Sequence, residues 1–121
     1  MLPTRLPVVA ALIACLVGSI ATSSSAAPPK LIGTVGPGYT IKLTMGGKRA
    51  SKVKAGKYTF VITDKSSFHS FGLDGPKGFE KDFTSVPFTG TRTFTLTLKA
   101  GKYKYYCQAH ESTMFGNFTV T

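Results

Sequence analysis

Residues 91–98 read Thr-Arg-Thr-Phe-Thr-Leu-Thr-Leu, a period-two alternation with no break. Side chains of an extended strand point alternately to opposite faces, so Phe94, Leu96 and Leu98 share one face and Thr93, Thr95 and Thr97 the other. Such a segment predicts a strand with one buried and one wet face, and a helix would scatter both sets around its axis.

The rest of the chain agrees with that reading. Lys30 to Val35, Tyr39 to Thr44, Tyr58 to Thr63, Tyr103 to Cys107 and Asn117 to Thr121 are short runs rich in β-branched and aromatic residues. Phe68 to Asp74 is mixed, and Gly36-Pro-Gly38, Gly46-Gly-Lys-Arg49 and Gly75-Pro-Lys-Gly78 are turn signals between runs. No helical periodicity is sustained downstream of the start of the chain. Seven to eight short strands at regular spacing predict an all-β sandwich. The pentapeptide Lys54-Ala-Gly-Lys-Tyr58 recurs as Lys99-Ala-Gly-Lys-Tyr103, which reads as one turn used twice, with glycine supplying a backbone conformation other residues avoid.

The first 27 residues have a different character. One charge at Arg5, an apolar run from Leu6 to Ile20 and a small-residue exit to Ala27 form the pattern of a secretory signal peptide. The run is shorter than the ~20 residues a spanning helix needs. Leu12-Ile-Ala-Cys15 offers a second reading, a lipobox in which Cys15 is lipidated and the protein is membrane-attached. Either way residues 28–121 are the expected single domain, exported to a periplasmic, cell-surface or secreted location.

Cleavage of the leader leaves Cys107 as the only thiol, which excludes an internal disulfide and favours a monomer. Residues 28–121 carry 14 Lys plus Arg against 5 Asp plus Glu. This excess favours partners with acidic surfaces. The lysines are scattered and export removes the chain from nucleic acid, so nucleic-acid binding is not expected. No phosphate loop, dinucleotide fingerprint or zinc-protease motif is present, and no enzymatic activity is expected.

The ligating side chains are few and crowded. His69 and His110 are the two histidines, and Met45 and Met114 are the methionines left after the leader. Cys107, His110 and Met114 fall within eight positions of one another. Two imidazoles, a thiolate and a weak thioether are the donor set of a blue-copper electron-transfer site. Structural zinc prefers four Cys or His ligands. A nucleophilic Cys–His pair would leave Met114 without a purpose.

At these motifs the sequence resembles the cupredoxins, in particular small plastocyanin-like domains of exported bacterial proteins. Asp64-Lys-Ser-Ser-Phe-His-Ser-Phe-Gly-Leu73 matches the loop bearing the first histidine. Tyr106-Cys107-x-x-His110-x-x-x-Met114-x-Gly116-x-Phe118-x-Val120 matches the ligand loop and last strand. The resemblance implies a Greek-key β-sandwich with one copper ion at one end, His69, Cys107 and His110 in one plane and Met114 axial. It implies a single-electron carrier between redox partners, with storage or delivery of copper as the alternative. It also implies an apolar ring around His110, for which Phe115 and Phe71 are the expected members. Ser70 replaces an asparagine common after the first histidine, and Gln108-Ala109 replaces a common proline, so the link between the two ligand loops is expected to differ.

Overall fold

The computed structural model describes residues 3–4, 14–15, 18–19 and 26–121. Most of the expected leader, including most of its hydrophobic run, lies outside the described residues. Among the described residues no helix is long and apolar enough to cross a membrane.

The domain is built from ten strands: β1 (Lys30–Val35), β2 (Ile41–Met45), β3 (Lys48–Arg49), β4 (Lys52–Val53), β5 (Gly56–Asp64), β6 (Phe71–Asp74), β7 (Glu80–Thr84), β8 (Gly90–Leu98), β9 (Gly101–Tyr106) and β10 (Phe115–Val120). Eight of these are four residues or longer. The two-residue strands β3 and β4 raise the total above the seven to eight expected. One sheet has the order β3-β2-β1-β5-β8 and the other β4-β10-β9-β6-β7. The β1–β5 and β4–β10 pairs are parallel, and all other pairs are antiparallel. The chain changes sheet repeatedly along its length, so strands distant in sequence lie side by side.

Strand β7 is the element that sequence periodicity does not reveal. Its residues Glu80-Lys-Asp-Phe-Thr84 present a single large apolar side chain, Phe83, which is fully buried. Phe83 stacks on Phe60 of β5 at 5.1 Å between ring centroids and meets Phe71 of β6 edge-on at 5.9 Å. Aromatic contacts of this kind join the two sheets and add to the burial of each ring. Strand β8 keeps its predicted alternation, but its apolar face is graded. Leu98 is buried, while Phe94 and Leu96 are half-buried, because β8 is an edge strand of its sheet.

The repeated pentapeptide is a structural device used twice. The Tyr58 hydroxyl donates to the Lys54 carbonyl at 2.6 Å, and the Tyr103 hydroxyl donates to the Lys99 carbonyl at 2.8 Å. The glycine between them has φ of 150° at Gly56 and 147° at Gly101, in a region that side-chain-bearing residues avoid. Each copy is thus a tyrosine corner: the ring is buried, and its hydroxyl fastens the turn four residues upstream. The second copy opens β9, the strand that delivers Cys107.

Candidate metal centre

Two loops at one end of the sandwich carry the candidate ligands. The first joins β5 to β6. The inward parity of β5 buries Tyr58, Phe60 and Ile62, and then Asp64 at its last position. A buried carboxylate needs partners, and Asp64 has them. Its Oδ1 accepts from the Ser66 amide at 3.1 Å and its Oδ2 from the Thr84 hydroxyl at 2.7 Å. Thr84 Oγ1 accepts in turn from the Phe71 amide at 2.9 Å, and the His69 amide donates to the Ser66 carbonyl at 3.3 Å. The loop is therefore fixed on both sides of His69, whose side chain is buried.

The second loop joins β9 to β10. Cys107 is extended, and a short 3₁₀ turn then spans Gln108–His110. The His110 amide donates to the Cys107 carbonyl at 3.1 Å and the Met114 amide to the His110 carbonyl at 2.8 Å. The Cys107 amide donates to the Met114 carbonyl at 3.0 Å, closing the loop on itself. This is the physical sense of the C-x2-H-x3-M spacing: one turn brings residue 114 back beside residue 107. Cys107 and Met114 are both buried, and His110 is half-buried.

Three of the four expected ligands converge directly. Cys107 Sγ lies 3.8 Å from His69 Nδ1 and 3.7 Å from His110 Nδ1, and the two Nδ1 atoms are 3.2 Å apart. All three atoms lie within 4.8 Å of one another. Met114 is held at the same loop by its backbone bonds to Cys107 and His110. Two imidazole nitrogens and one sulfur around a common point, with a buried thioether in the same loop, fit a copper ion better than zinc or a nucleophilic dyad.

Support around the sulfur comes from Ser70. Its amide donates to Cys107 Sγ at 3.4 Å, and its hydroxyl lies 4.0 Å from the same atom. The hydroxyl oxygen also accepts from the Gln108 amide at 3.0 Å. The link between the two ligand loops is therefore present, made through a serine hydroxyl. On the outer side Tyr39, from the β1–β2 turn, packs edge-on against both imidazoles. Its ring centroid is 5.4 Å from that of His69 and 4.9 Å from that of His110.

Phe71 does not join an apolar ring at the surface. It is fully buried and stacks on Tyr105 at 5.8 Å, because the inward parity of β6 turns it into the core. The exposed aromatic side chains near the ligands are Tyr39 (70%), Phe68 (75%) and Phe115 (47%). Sequence reasoning also passed over Asp64 and Thr84. The parity of the 58–64 run was the available signal for Asp64, and none pointed to Thr84.

Solved structures share this architecture. A histidine-to-methionine variant of rusticyanin superposes with a TM-score of 0.59 at 21% identity, covering 81% of this chain and 80% of that one. Rusticyanin from Thiobacillus ferrooxidans gives 0.57 at 21% identity, covering 80% and 79%. Auracyanin A, a blue copper protein from Chloroflexus aurantiacus, gives 0.51 at 19% identity, covering 78% of this chain and all of that one. The fold is the cupredoxin fold. No protein-family model and no curated protein sequence matches the chain. Within the cupredoxin fold, the His69–Cys107–His110 cluster stands at one end of the sandwich, where β5 hands over to β6 and β9 to β10.

Proposed function

We propose that this chain is an exported type 1 copper protein that carries single electrons between redox partners. The observation that carries the reading is the convergence of His69 Nδ1, Cys107 Sγ and His110 Nδ1 within 4.8 Å on a rigid β scaffold. His69, Cys107, His110 and Met114 are the residues that would hold the copper ion. Bound there, copper supplies a one-electron couple. The chain's own residues do the rest. The closed loops hold the donors at nearly fixed separation, and Ser70 places an amide against the sulfur. Buried Phe71, Phe83 and Phe60 pack against one another in the core between the sheets. A scaffold of this stiffness has little to rearrange between oxidation states.

The leader is read as a signal for export to the periplasm, cell surface or exterior, with lipidation at Cys15 as its alternative. The partners are read as redox proteins with acidic docking surfaces, and the chain as a monomer with no enzymatic role. Storage or delivery of copper is the competing function, but Met- and His-rich tracts that copper handlers use are lacking in the sequence.

The test is to load the purified protein with Cu(II) and record its visible and EPR spectra. An intense thiolate-to-copper band, a narrow copper hyperfine splitting and reversible voltammetry are expected, all lost in Cys107→Ala. A colourless adduct, or colour that survives Cys107→Ala, would sink the proposal. Rapid loss of copper to a chelator without reversible voltammetry would favour delivery.

A further inference from the structure

A cleft of about 320 Å³ opens between β2 and β10, beside the metal centre and separate from it. Its walls are Ile41, Leu43 and Phe115, and Lys42 and Arg49 also line it. At its inner end lies Tyr105, a residue only 2% exposed.

Three features make this a built site. The first is the Tyr105 hydroxyl. The hydroxyls of Tyr58, Tyr103 and Tyr106 each donate to a protein acceptor, but that of Tyr105 has no hydrogen-bond partner among the described residues. A phenol hydroxyl that is largely withdrawn from water normally finds a partner. No fully buried side-chain polar atom is left unpartnered among the described residues, so this hydroxyl keeps some contact with solvent, and Tyr105 lines the cleft.

The second feature is Gly116. It pairs with Tyr105 across the β9–β10 ladder, and a Cβ there would collide with the Tyr105 ring and hydroxyl. The missing side chain is what lets the tip of the Tyr105 ring lie over β10.

The third feature is charge. Between residues 28 and 63 the chain has seven Lys or Arg and no Asp or Glu. The sole ion pair among the described residues is Lys104–Glu111, so Lys42 and Arg49 have no carboxylate partner there. A guanidinium offers a planar fork that matches a carboxylate.

We propose that this cleft binds a small organic carboxylate. Its charged head would meet Arg49 and Lys42, its apolar body would lie between Ile41, Leu43 and Phe115, and its inner end would reach the Tyr105 hydroxyl. The volume lies at the small end of ligand sites, roughly 300–1,000 Å³, which suits a compact aromatic or branched aliphatic acid. The site is independent of the copper reading, since none of its residues is a proposed ligand.

The probe is benzoate, with benzamide as its neutral counterpart of the same shape. Titrated into the metal-free full chain, benzoate should shift the backbone amides of residues 41–44, 49, 104–106 and 115–116. The shifts should saturate with a Kd on the order of 1 mM. Arg49→Gln should weaken binding about tenfold and Tyr105→Phe about fivefold. Benzamide should bind at least about tenfold more weakly than benzoate. Arg49 is exposed, so its variant tests the site without touching the core. Four outcomes would each overturn the proposal: no saturable shift, equal binding of benzamide, unchanged affinity in Arg49→Gln, or shifts spread over the lysine-bearing surface at large.

Discussion

The Gln108 amide donates to the Ser70 hydroxyl at 3.0 Å and so fastens the loop bearing Cys107 and His110 to the loop bearing His69. The same serine places its amide 3.4 Å from the sulfur. Ser70 therefore helps to fix the relative position of two proposed ligands that are 38 residues apart in sequence.

Ser70→Ala keeps the amide contact to Cys107 and deletes the hydroxyl-mediated bond between the loops. The Gln108 amide is then left without its acceptor in a part-buried site. The expected cost is about 1–2 kcal/mol, measured as a lower denaturant midpoint at unchanged m-value. Transfer of copper to a chelator should also become faster, because the two ligand loops can separate. Unchanged stability and unchanged release would show that the bond between loops carries no weight.

The two tyrosine corners predict a pair of separate effects. Tyr58→Phe and Tyr103→Phe each remove one hydroxyl and leave the buried ring in place. Tyr58→Phe should cost about 1 kcal/mol, a drop of roughly 4–8 °C in Tm for a domain of this size, and Tyr103→Phe somewhat more, because its hydroxyl also accepts from the Lys99 amide at 3.1 Å. They close different turns, so the double variant should show the sum within about 0.5 kcal/mol. Thermal unfolding of the three variants checks this, and strong non-additivity would contradict the reading of two separate fasteners.

Legibility differed between the ligands and their supports. The His69–Cys107–His110 cluster was readable because soft donors are scarce in this chain and two of its members share one window with Met114, the further proposed donor. Strands β1, β5 and β8 were readable from alternation and β-branched content. Strand β7 was not, since Glu80, Lys81 and Asp82 mask its one core residue, Phe83. Phe71 was misplaced at the surface because proximity in sequence to His69 says nothing about which way β6 turns its side chains. Asp64 and Thr84 meet over a separation of 20 residues, and only the packing of β5 against β7 brings them together. The Tyr39 contacts likewise depend on how the β1–β2 turn folds over the ligand loops.

Alkaline pH should destabilise the fold through Tyr103 and Tyr106. Burial pushes the Tyr103 hydroxyl above the ordinary phenol range, with its backbone contact at Lys99 partly offsetting the rise. Burial raises Tyr106 further, reinforced by the hydrogen bond to Asp74 and by the Asp74, Asp82 and Glu111 carboxylates. Both folded-state values are raised, so both groups favour the fold while neutral. That contribution is fully present below the unfolded value near 10 and is lost as pH rises through the folded values. Denaturant midpoints should therefore fall above about pH 10. Tyr106→Phe should flatten the decline. An identical decline in that variant would assign the effect to other groups.

Tyr39 offers a prediction about access. Cys107 and Met114 are buried and His69 is only 3% exposed, so the inner side of the centre is closed by the core. On the outer side the Tyr39 ring lies against both imidazoles while remaining 70% exposed. Most of its surface is already in water, so swinging it aside sacrifices little burial. Tyr39→Ala removes this outer wall. Its effect on stability should stay within about 0.5 kcal/mol, as for other exposed positions. Copper release to a chelator should nevertheless accelerate several-fold, on the order of the 0.5–1.5 kcal/mol that edge-on aromatic pairs contribute. Tyr39→Phe keeps the ring and should release copper at the wild-type rate. Chelator kinetics on the three copper-loaded proteins decide the matter: equal rates for Tyr39→Ala and wild type would mean that the ring is only a neighbour of the imidazoles, and a fast Tyr39→Phe would shift the role from the ring to its hydroxyl.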